Sequence, residues 1–147
     1  MIISGVTRKP DMSANRKDPN VAIPPSITQI SDKSGLKLPT GYCRVHELGL
    51  VNLHPWFFLD DIGVISNYSK LNSRYLVRQV LPFARTLAAD DIACFVVAES
   101  AYSQGEIVII HDDAHPGTEV EQRFDSFWAW FRFAIEEMVQ LEISREA

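Results

Sequence analysis

Apolar residues along the chain concentrate in two short, nearly continuous runs. Ile92 to Val97 and Ile107 to Ile110 consist of β-branched and other apolar residues, which is the composition of strands that are covered on both faces of a sheet. The segment between them, Ala98 to Gly105, is small and polar except for Tyr102. We therefore predict that the two runs pair as an antiparallel hairpin at the centre of a sheet.

The clearest periodic segment lies toward the C-terminal end of the chain. Asp125 or Ser126 can accept hydrogen bonds from the first free N–H groups of a helix. Trp128 and Phe133 fall on the flank of this helix, where we expect them to be half-exposed. The segment is predicted to be a long amphipathic helix because apolar residues recur in it at three- and four-residue intervals, namely Phe127, Trp130, Phe131, Ala134, Ile135, Met138 and Leu141.

Two short helices are predicted before the sheet, each opened by proline and closed by glycine. The first follows Pro24–Pro25 and ends at Gly35, and the second follows Pro39 and ends at Gly49. Proline is tolerated in the first helical turn, and glycine readily adopts the left-handed conformation that ends many helices.

The second of these helices has a defined apolar side. Tyr42, Val45 and Leu48 recur at helical spacing and are predicted to face the sheet. His46 falls on the opposite side, so we expect it to be solvated rather than to bind a ligand.

The segment from His54 to Asp60 is rich in aromatic residues. It is too short for a globular helix, so we interpret it as an edge strand or an extended segment that fills the core. An aromatic platform for a ligand is the alternative. Asp60 or Asp61 is then a suitable N-cap for a third helix reaching to about Asn72, whose apolar positions are Ile62, Ile65, Tyr68 and Leu71.

The order of these elements predicts an α+β fold. The antiparallel-rich mixed sheet is expected to have about four to six strands, packed against the short N-terminal helices and the long C-terminal amphipathic helix. A chain of 147 residues fits one domain. Residues 1–22 have little to bury and are predicted to be a disordered basic tail, which leaves residues 23–147 as a single domain.

Charge is unevenly distributed along the chain, whose net charge is −5. The first 22 residues hold four basic and two acidic side chains, whereas residues 23–147 hold ten basic and seventeen acidic ones, a net charge of −7. This acidity disfavours nucleic-acid binding and favours a basic partner. The sequence also shows no apolar run long enough to cross a membrane and no secretory signal, so we expect a cytoplasmic protein without membrane association.

The two cysteines do not suggest a disulfide framework. They lie 51 positions apart, at Cys43 and Cys94, and a disulfide-stapled domain has more of them at closer spacing. Cys94 lies within a predicted strand between apolar neighbours, so we expect a buried and unreactive thiol.

Potential metal ligands and acid–base groups cluster within thirty residues, at Asp90, Asp91, His111, Asp112, Asp113, His115 and Glu119. The four-residue gap between His111 and His115 matches helical zinc motifs, but a strand precedes it and Pro116–Gly117 prevents a helix immediately afterwards. Adjacent aspartates are typical of strand entries and turns. We therefore predict no catalytic residue, no metal and no cofactor. The alternative is a small metal-dependent hydrolase or ligand-binding enzyme that uses Asp90, Asp91, His111 and Asp112.

Several short motifs follow one another between Leu38 and Ile135. They are Leu38-Pro39-x-x-Tyr42, Trp56-Phe57-x-Leu59-Asp60, Pro82-Phe83-Ala84-Arg85, Asp90-Asp91-x-Ala93-Cys94-Phe95, Val108-Ile109-Ile110-His111-Asp112, Pro116-Gly117-x-Glu119 and Phe124-Asp125-Ser126-Phe127-x-x-Trp130. In their order and approximate spacing the chain resembles the SUKH superfamily. It departs from the family pattern after Tyr42, where Cys43 to Gly49 replaces the Phe-Leu and Asn-Gly-Gly often found there.

This resemblance implies a non-enzymatic binding protein. Bacterial members of the superfamily, which are related to fungal cell-wall synthesis regulators, are understood as immunity proteins that neutralise nuclease or deaminase toxins of polymorphic or contact-dependent systems. The expected partner is a basic cognate toxin domain, and the expected state is a monomer or weak homodimer. An intracellular scaffold whose basic tail docks elsewhere is a further hypothesis.

Under the immunity hypothesis, the acidic strand ends and two aromatic residues would bind the partner. The predicted partner-binding residues are Asp90, Asp91, Asp112, Asp113, Glu119, Trp56 and Tyr102. We predict a structural role for the remaining residues of this region: His111 holds the Asp90–Asp91 turn, and Pro116 and Gly117 redirect the chain.

Overall fold

The computed structural model describes residues 22–98 and 106–146. Most of the predicted basic tail and Tyr102 lie outside these ranges. The described residues form an α+β fold, as predicted. The helices are α1 (Pro25–Ser34), α2 (Thr40–Glu47), α3 (Asp61–Arg74) and α4 (Phe127–Glu146), and the strands are β1 (Asn52–Leu53), β2 (Trp56–Phe58), β3 (Gln79–Thr86), β4 (Asp91–Ala98), β5 (Ile107–His111) and β6 (Val120–Phe124).

The six strands form one sheet in which the spatial order equals the chain order, from β1 to β6. Each neighbouring pair is antiparallel. The predicted central hairpin is confirmed, because β4 pairs with β5 and places Cys94 opposite Val108.

The two faces of β4 enter two different apolar clusters. Ala93 and Phe95 belong to the larger cluster, which includes residues of α2 and α4. Ile92 and Cys94 belong to the smaller one, together with Leu71 of α3. Cys94 is fully buried, as predicted, and burial raises the pKa of its thiol. Both faces of this central strand are therefore covered.

Aromatic rings fill the larger cluster. Phe83 and Phe95 stack with their ring centroids 4.3 Å apart, Trp130 meets Phe83 edge to face at 4.9 Å, and Tyr42 stacks on Phe58 at 5.7 Å. Such pairs contribute roughly 0.5–1.5 kcal/mol each beyond their buried area. Helices α2 and α4 are thus fixed on the sheet largely by ring packing.

Helix α2 buries His46, although the sequence predicts that this side chain is exposed to solvent. His46 is 3% exposed, and its ring lies 4.9 Å from that of Tyr42 and 5.2 Å from that of Phe58. Conversely, Leu48 is 54% exposed because the helix ends at Glu47 and the apolar face does not continue past it. The predictions for His46 and Leu48 were therefore wrong, whereas α1 ends as predicted at Gly35, whose φ is 77°.

The side of helix α3 that is buried differs from the side that the sequence predicts. Asp60 caps it by accepting a hydrogen bond from the Gly63 N–H at 2.8 Å, as expected, and Leu71 is buried. However, Ile62 and Ile65 are 78% and 53% exposed. The buried face instead includes Asn67, a polar residue whose amide donates to the Gly63 carbonyl at 2.8 Å.

The aromatic segment forms the turn and strand β2 of the β1–β2 hairpin. Strand β2 lies between β1 and β3 and is therefore not an edge strand, but the segment does fill the core, as the other form of the interpretation predicted. Trp56 is 1% exposed, and its indole N–H donates to Glu137 of α4 at 2.6 Å. Its ring is therefore a core element and is not exposed to a partner.

Helix α4 begins where the capping residues predict. The Ser126 hydroxyl accepts a hydrogen bond from the Ala129 N–H at 3.2 Å. Phe127, Trp130 and Ala134 are buried, and Trp128 is 49% exposed. No helix within the described ranges has the length and apolar character needed to span a membrane.

Candidate functional site: the ends of strands β4 and β5

The predicted acidic residues do converge at one end of the sheet. Asp91 lies opposite His111 in the β4–β5 register, and the Asp112 N–H donates to the Asp90 carbonyl at 2.7 Å. The His111 N–H donates to the Glu119 carbonyl at 2.8 Å, which ties the following turn to the same place. The backbone therefore brings these residues together, but their side chains have different environments.

Asp112 is the centre of a buried charge network. Its side chain is 6% exposed and accepts hydrogen bonds from Lys70 at 2.6 Å, from Arg74 at 3.2 Å and from Arg85 at 3.2 Å. Burial by itself raises the pKa of the Asp112 carboxyl, but the hydrogen bonds and charges of Lys70 and Arg85 outweigh burial and hold this pKa below its ordinary value. Asp112 thus connects β5 to α3 and β3.

Glu119 has a similar structural role in the turn before β6. It is 1% exposed, forms an ion pair with Arg78 and accepts a hydrogen bond from the Gly117 N–H at 2.6 Å. Gly117 has a φ of 98°, in the left-handed region that favours glycine. The carboxylate therefore bonds the backbone of the turn that contains Pro116 and Gly117.

These placements correct the predicted binding surface. Asp112 and Glu119 are buried ion-pair partners, and Trp56 is in the core, so none of the three has an accessible side chain. Asp90 and Asp113 are 74% and 78% exposed and remain accessible to a partner. The physical reason for the correction is that cations from α3 and β3 cover Asp112, and that Arg78, in the loop between these two elements, pairs with Glu119.

His111 contacts Asp91, one of the two residues of the turn that it is predicted to hold. Its Nδ1 lies 2.8 Å from the Asp91 Oδ1 and 3.7 Å from the Glu121 Oε2. The hydrogen bond to Asp91 raises the pKa of the imidazole, and the charges of Asp91 and Glu121 add to this effect. The sequence did not identify Glu121 as a site residue. It lies at an irregularity of β6, beyond the Pro-Gly turn, where no local motif marks it.

The four-residue cluster of the hydrolase alternative is divided between the two sides of the sheet. Successive strand residues point to opposite faces. His111 shares the face of Ile109, whereas Asp112 contacts the α3 side chains Lys70 and Arg74. Their side chains therefore do not converge on one reacting centre.

A cleft of about 530 Å³ lies between the N-terminal end of α1, the β1–β2 hairpin and the start of α3. The described residues that line it are mostly apolar and include Val51, Phe57 and Leu87, together with His46 and Asp61. None of the acidic strand-end residues lines this cleft, although a hydrolase that used them would be expected to place them in a pocket.

An exposed aliphatic pair lies beside the strand ends. Leu76 and Val77, in the loop from α3 to β3, are 82% and 72% exposed. The residues on either side of the pair are anchored: the buried Tyr75 donates through its hydroxyl to the Ala114 carbonyl at 2.6 Å, and Arg78 pairs with Glu119. The loop is therefore held at both ends against the 112–119 turn while its two apolar side chains face solvent.

Comparison with protein-family models, with curated proteins and with solved structures found no match for this chain. The SUKH resemblance therefore depends on the sequence motifs given above.

Proposed function

We propose that the protein is a non-enzymatic binding protein of the SUKH immunity type, which acts in the cytoplasm and neutralises a basic nuclease or deaminase toxin. The observation that carries the proposal is the Leu76–Val77 pair, held in the open beside exposed carboxylates. The SUKH-like motifs support the proposed protein class, and the exposed pair supports this loop as the position where a partner would bind.

The aliphatic pair has the properties of an interface centre. Burying an exposed Leu or Val side chain contributes roughly 1.5–3 kcal/mol. Because Tyr75 and Arg78 anchor the loop, little further ordering is needed when a partner covers it, and such preorganisation favours affinity. Two adjacent side chains fixed in this way can occupy a pocket of the partner.

Charge around the pair favours a basic partner. Asp113 is 78% exposed and lies 3.0 Å from Arg74, at the C-terminal end of α3 immediately before the loop. Asp90 is 74% exposed at the neighbouring strand end. With the net charge of −7 on residues 23–147, these carboxylates would steer a basic toxin domain toward the loop. The proposed contact set is therefore Leu76, Val77, Asp90 and Asp113.

The hydrolase alternative receives less support. Its four residues do not share one side of the sheet, and they do not line the apolar cleft. Protein binding needs no such convergence, because an exposed apolar centre with a charged rim is sufficient.

The test has two steps. The full-length tagged protein is used to capture a partner from its own lysate, and mass spectrometry identifies the partner. The captured toxin is then expressed in cells together with the wild-type protein or a variant, and growth rescue is measured.

Leu76→Asp and Ile62→Asp are a matched pair, because each places a carboxylate at an aliphatic position that is about four-fifths exposed. We expect growth rescue and partner binding to be lost with Leu76→Asp and retained with Ile62→Asp. Equal growth rescue by both variants would exclude the Leu76–Val77 loop as the toxin-binding surface. The absence of any toxin-like partner would exclude the immunity function.

A further inference from the structure

We infer that Asp91, His111 and Glu121 form a binding site for a divalent transition-metal ion such as zinc. The three side chains come from three adjacent strands. Asp91 and His111 are direct cross-strand neighbours. Glu121 is the extra residue of β6 at the irregularity where Ile109 pairs with Gln122 and Ile110 with Val120, and such bulges often redirect a side chain.

The distances between the ligand atoms suit a metal ion. The His111 Nδ1 lies 2.8 Å from the Asp91 Oδ1 and 3.7 Å from the Glu121 Oε2, and one ligand atom from each residue lies within 4.8 Å of the other two. Two ligands bound to tetrahedral zinc at about 2.1 Å are about 3.4 Å apart. The two distances from Nδ1 lie on either side of this value, so small side-chain rotations would suffice to coordinate an ion.

The charge balance of the three residues also favours a cation. The two buried acidic residues at this end of the sheet, Asp112 and Glu119, form ion pairs with Lys or Arg side chains. In contrast, among the described residues the ion pairs of Asp91 and Glu121 are with His111 alone. A divalent ion would relieve the repulsion between these two carboxylates.

The type of ligands narrows the choice of ion. One imidazole with two carboxylates suits zinc, manganese or cobalt, whereas calcium usually takes six to eight oxygen ligands. His111 and Glu121 are 43% and 46% exposed, so the remaining coordination positions would be open to water. The ion would therefore link β4, β5 and β6 at the surface and retain an open coordination position.

Calorimetric titration of the full-length protein with zinc chloride tests the site, with Glu121→Gln and Glu136→Gln as the variants. Both substitutions remove one exposed carboxylate, but Glu136 lies on α4 and accepts a hydrogen bond from Gln140. We expect one zinc ion per chain and at least a tenfold loss of affinity with Glu121→Gln, while Glu136→Gln binds as the wild type does.

A second pair of variants, His111→Ala and His115→Ala, tests whether the His111 imidazole is a zinc ligand. His115 is an exposed residue of the 112–119 turn, so its removal is expected to leave zinc affinity unchanged, whereas His111→Ala is expected to abolish one-to-one binding. Circular dichroism establishes that each variant is folded before titration. The absence of saturable binding at millimolar zinc, or equal affinity losses in Glu121→Gln and Glu136→Gln, would overturn the proposal.

Discussion

Asn72 completes the backbone hydrogen bonding of Val80. Its side-chain oxygen accepts from the Val80 N–H at 3.0 Å, and its side-chain nitrogen donates to the Val80 carbonyl at 2.9 Å. Strand β2 pairs with β3 only at Ala84–Thr86, so at Val80 the amide of α3 takes the place of a neighbouring strand.

Replacing Asn72 with Ala is predicted to destabilise the fold by about 2 kcal/mol. Val80 is 1% exposed, and a buried N–H or carbonyl left without a partner costs about 1–3 kcal/mol. Urea unfolding followed by circular dichroism measures the change. Ser73→Ala is the control because the exposed Ser73 hydroxyl bonds only within its own helix. Equal stabilities of the two variants would contradict this role of Asn72.

Acidification is predicted to weaken the Asp112 network. The pKa of Asp112 in the folded protein is lower than its ordinary value, so the stabilisation is fully present above the ordinary pKa and is lost as the pH falls through the folded one. The free energy of unfolding should therefore decline below about pH 4. The decline should be shallower in Asp112→Asn, and parallel profiles for the two proteins would show that Asp112 does not contribute to it.

Removing the charge of Glu119 is predicted to be among the most damaging polar substitutions. Glu119→Gln removes the ion pair between Glu119 and Arg78, whose side chain is only 11% exposed, and breaking a buried pair costs about 3–5 kcal/mol. Glu142→Gln is the comparison, because Glu142 pairs with Arg145 at an exposed site where such pairs contribute about 0–1 kcal/mol. Chemical unfolding that gave equal midpoints for both variants would refute the prediction.

Replacing His111 with Ala tests its structural role. The loss of the 2.8 Å hydrogen bond to Asp91 is expected to lower stability only slightly, since a charged hydrogen bond at a partly exposed site is worth less than a buried one. The melting temperature in metal-free buffer should fall by a small but measurable amount, while His115→Ala should melt as the wild type does. An unchanged melting temperature together with lost partner binding would indicate a binding role instead.

The sequence predicted most clearly those elements whose pattern is local. The apolar runs of β4 and β5 and the periodicity of α4 are each uninterrupted, so the elements could be identified without tertiary information. The buried state of Asp112 could not be predicted, because its partners Lys70 and Arg85 lie 42 and 27 positions away. His46 and Ile62 were misplaced for a related reason, since the face that a short helix buries depends on what packs against it.

The chain-order sheet has a consequence for folding kinetics. Because every strand pairs with the strand that precedes or follows it, most of the sheet can form by adding one neighbouring strand at a time, and such pairing between strands adjacent in the chain favours rapid folding. Two side-chain hydrogen bonds join residues that are far apart in the sequence. Trp56 and Glu137 are 81 positions apart, and Lys70 and Asp112 are 42 positions apart. They are available only after the intervening strands have been arranged, so they should stabilise the native state chiefly by slowing unfolding.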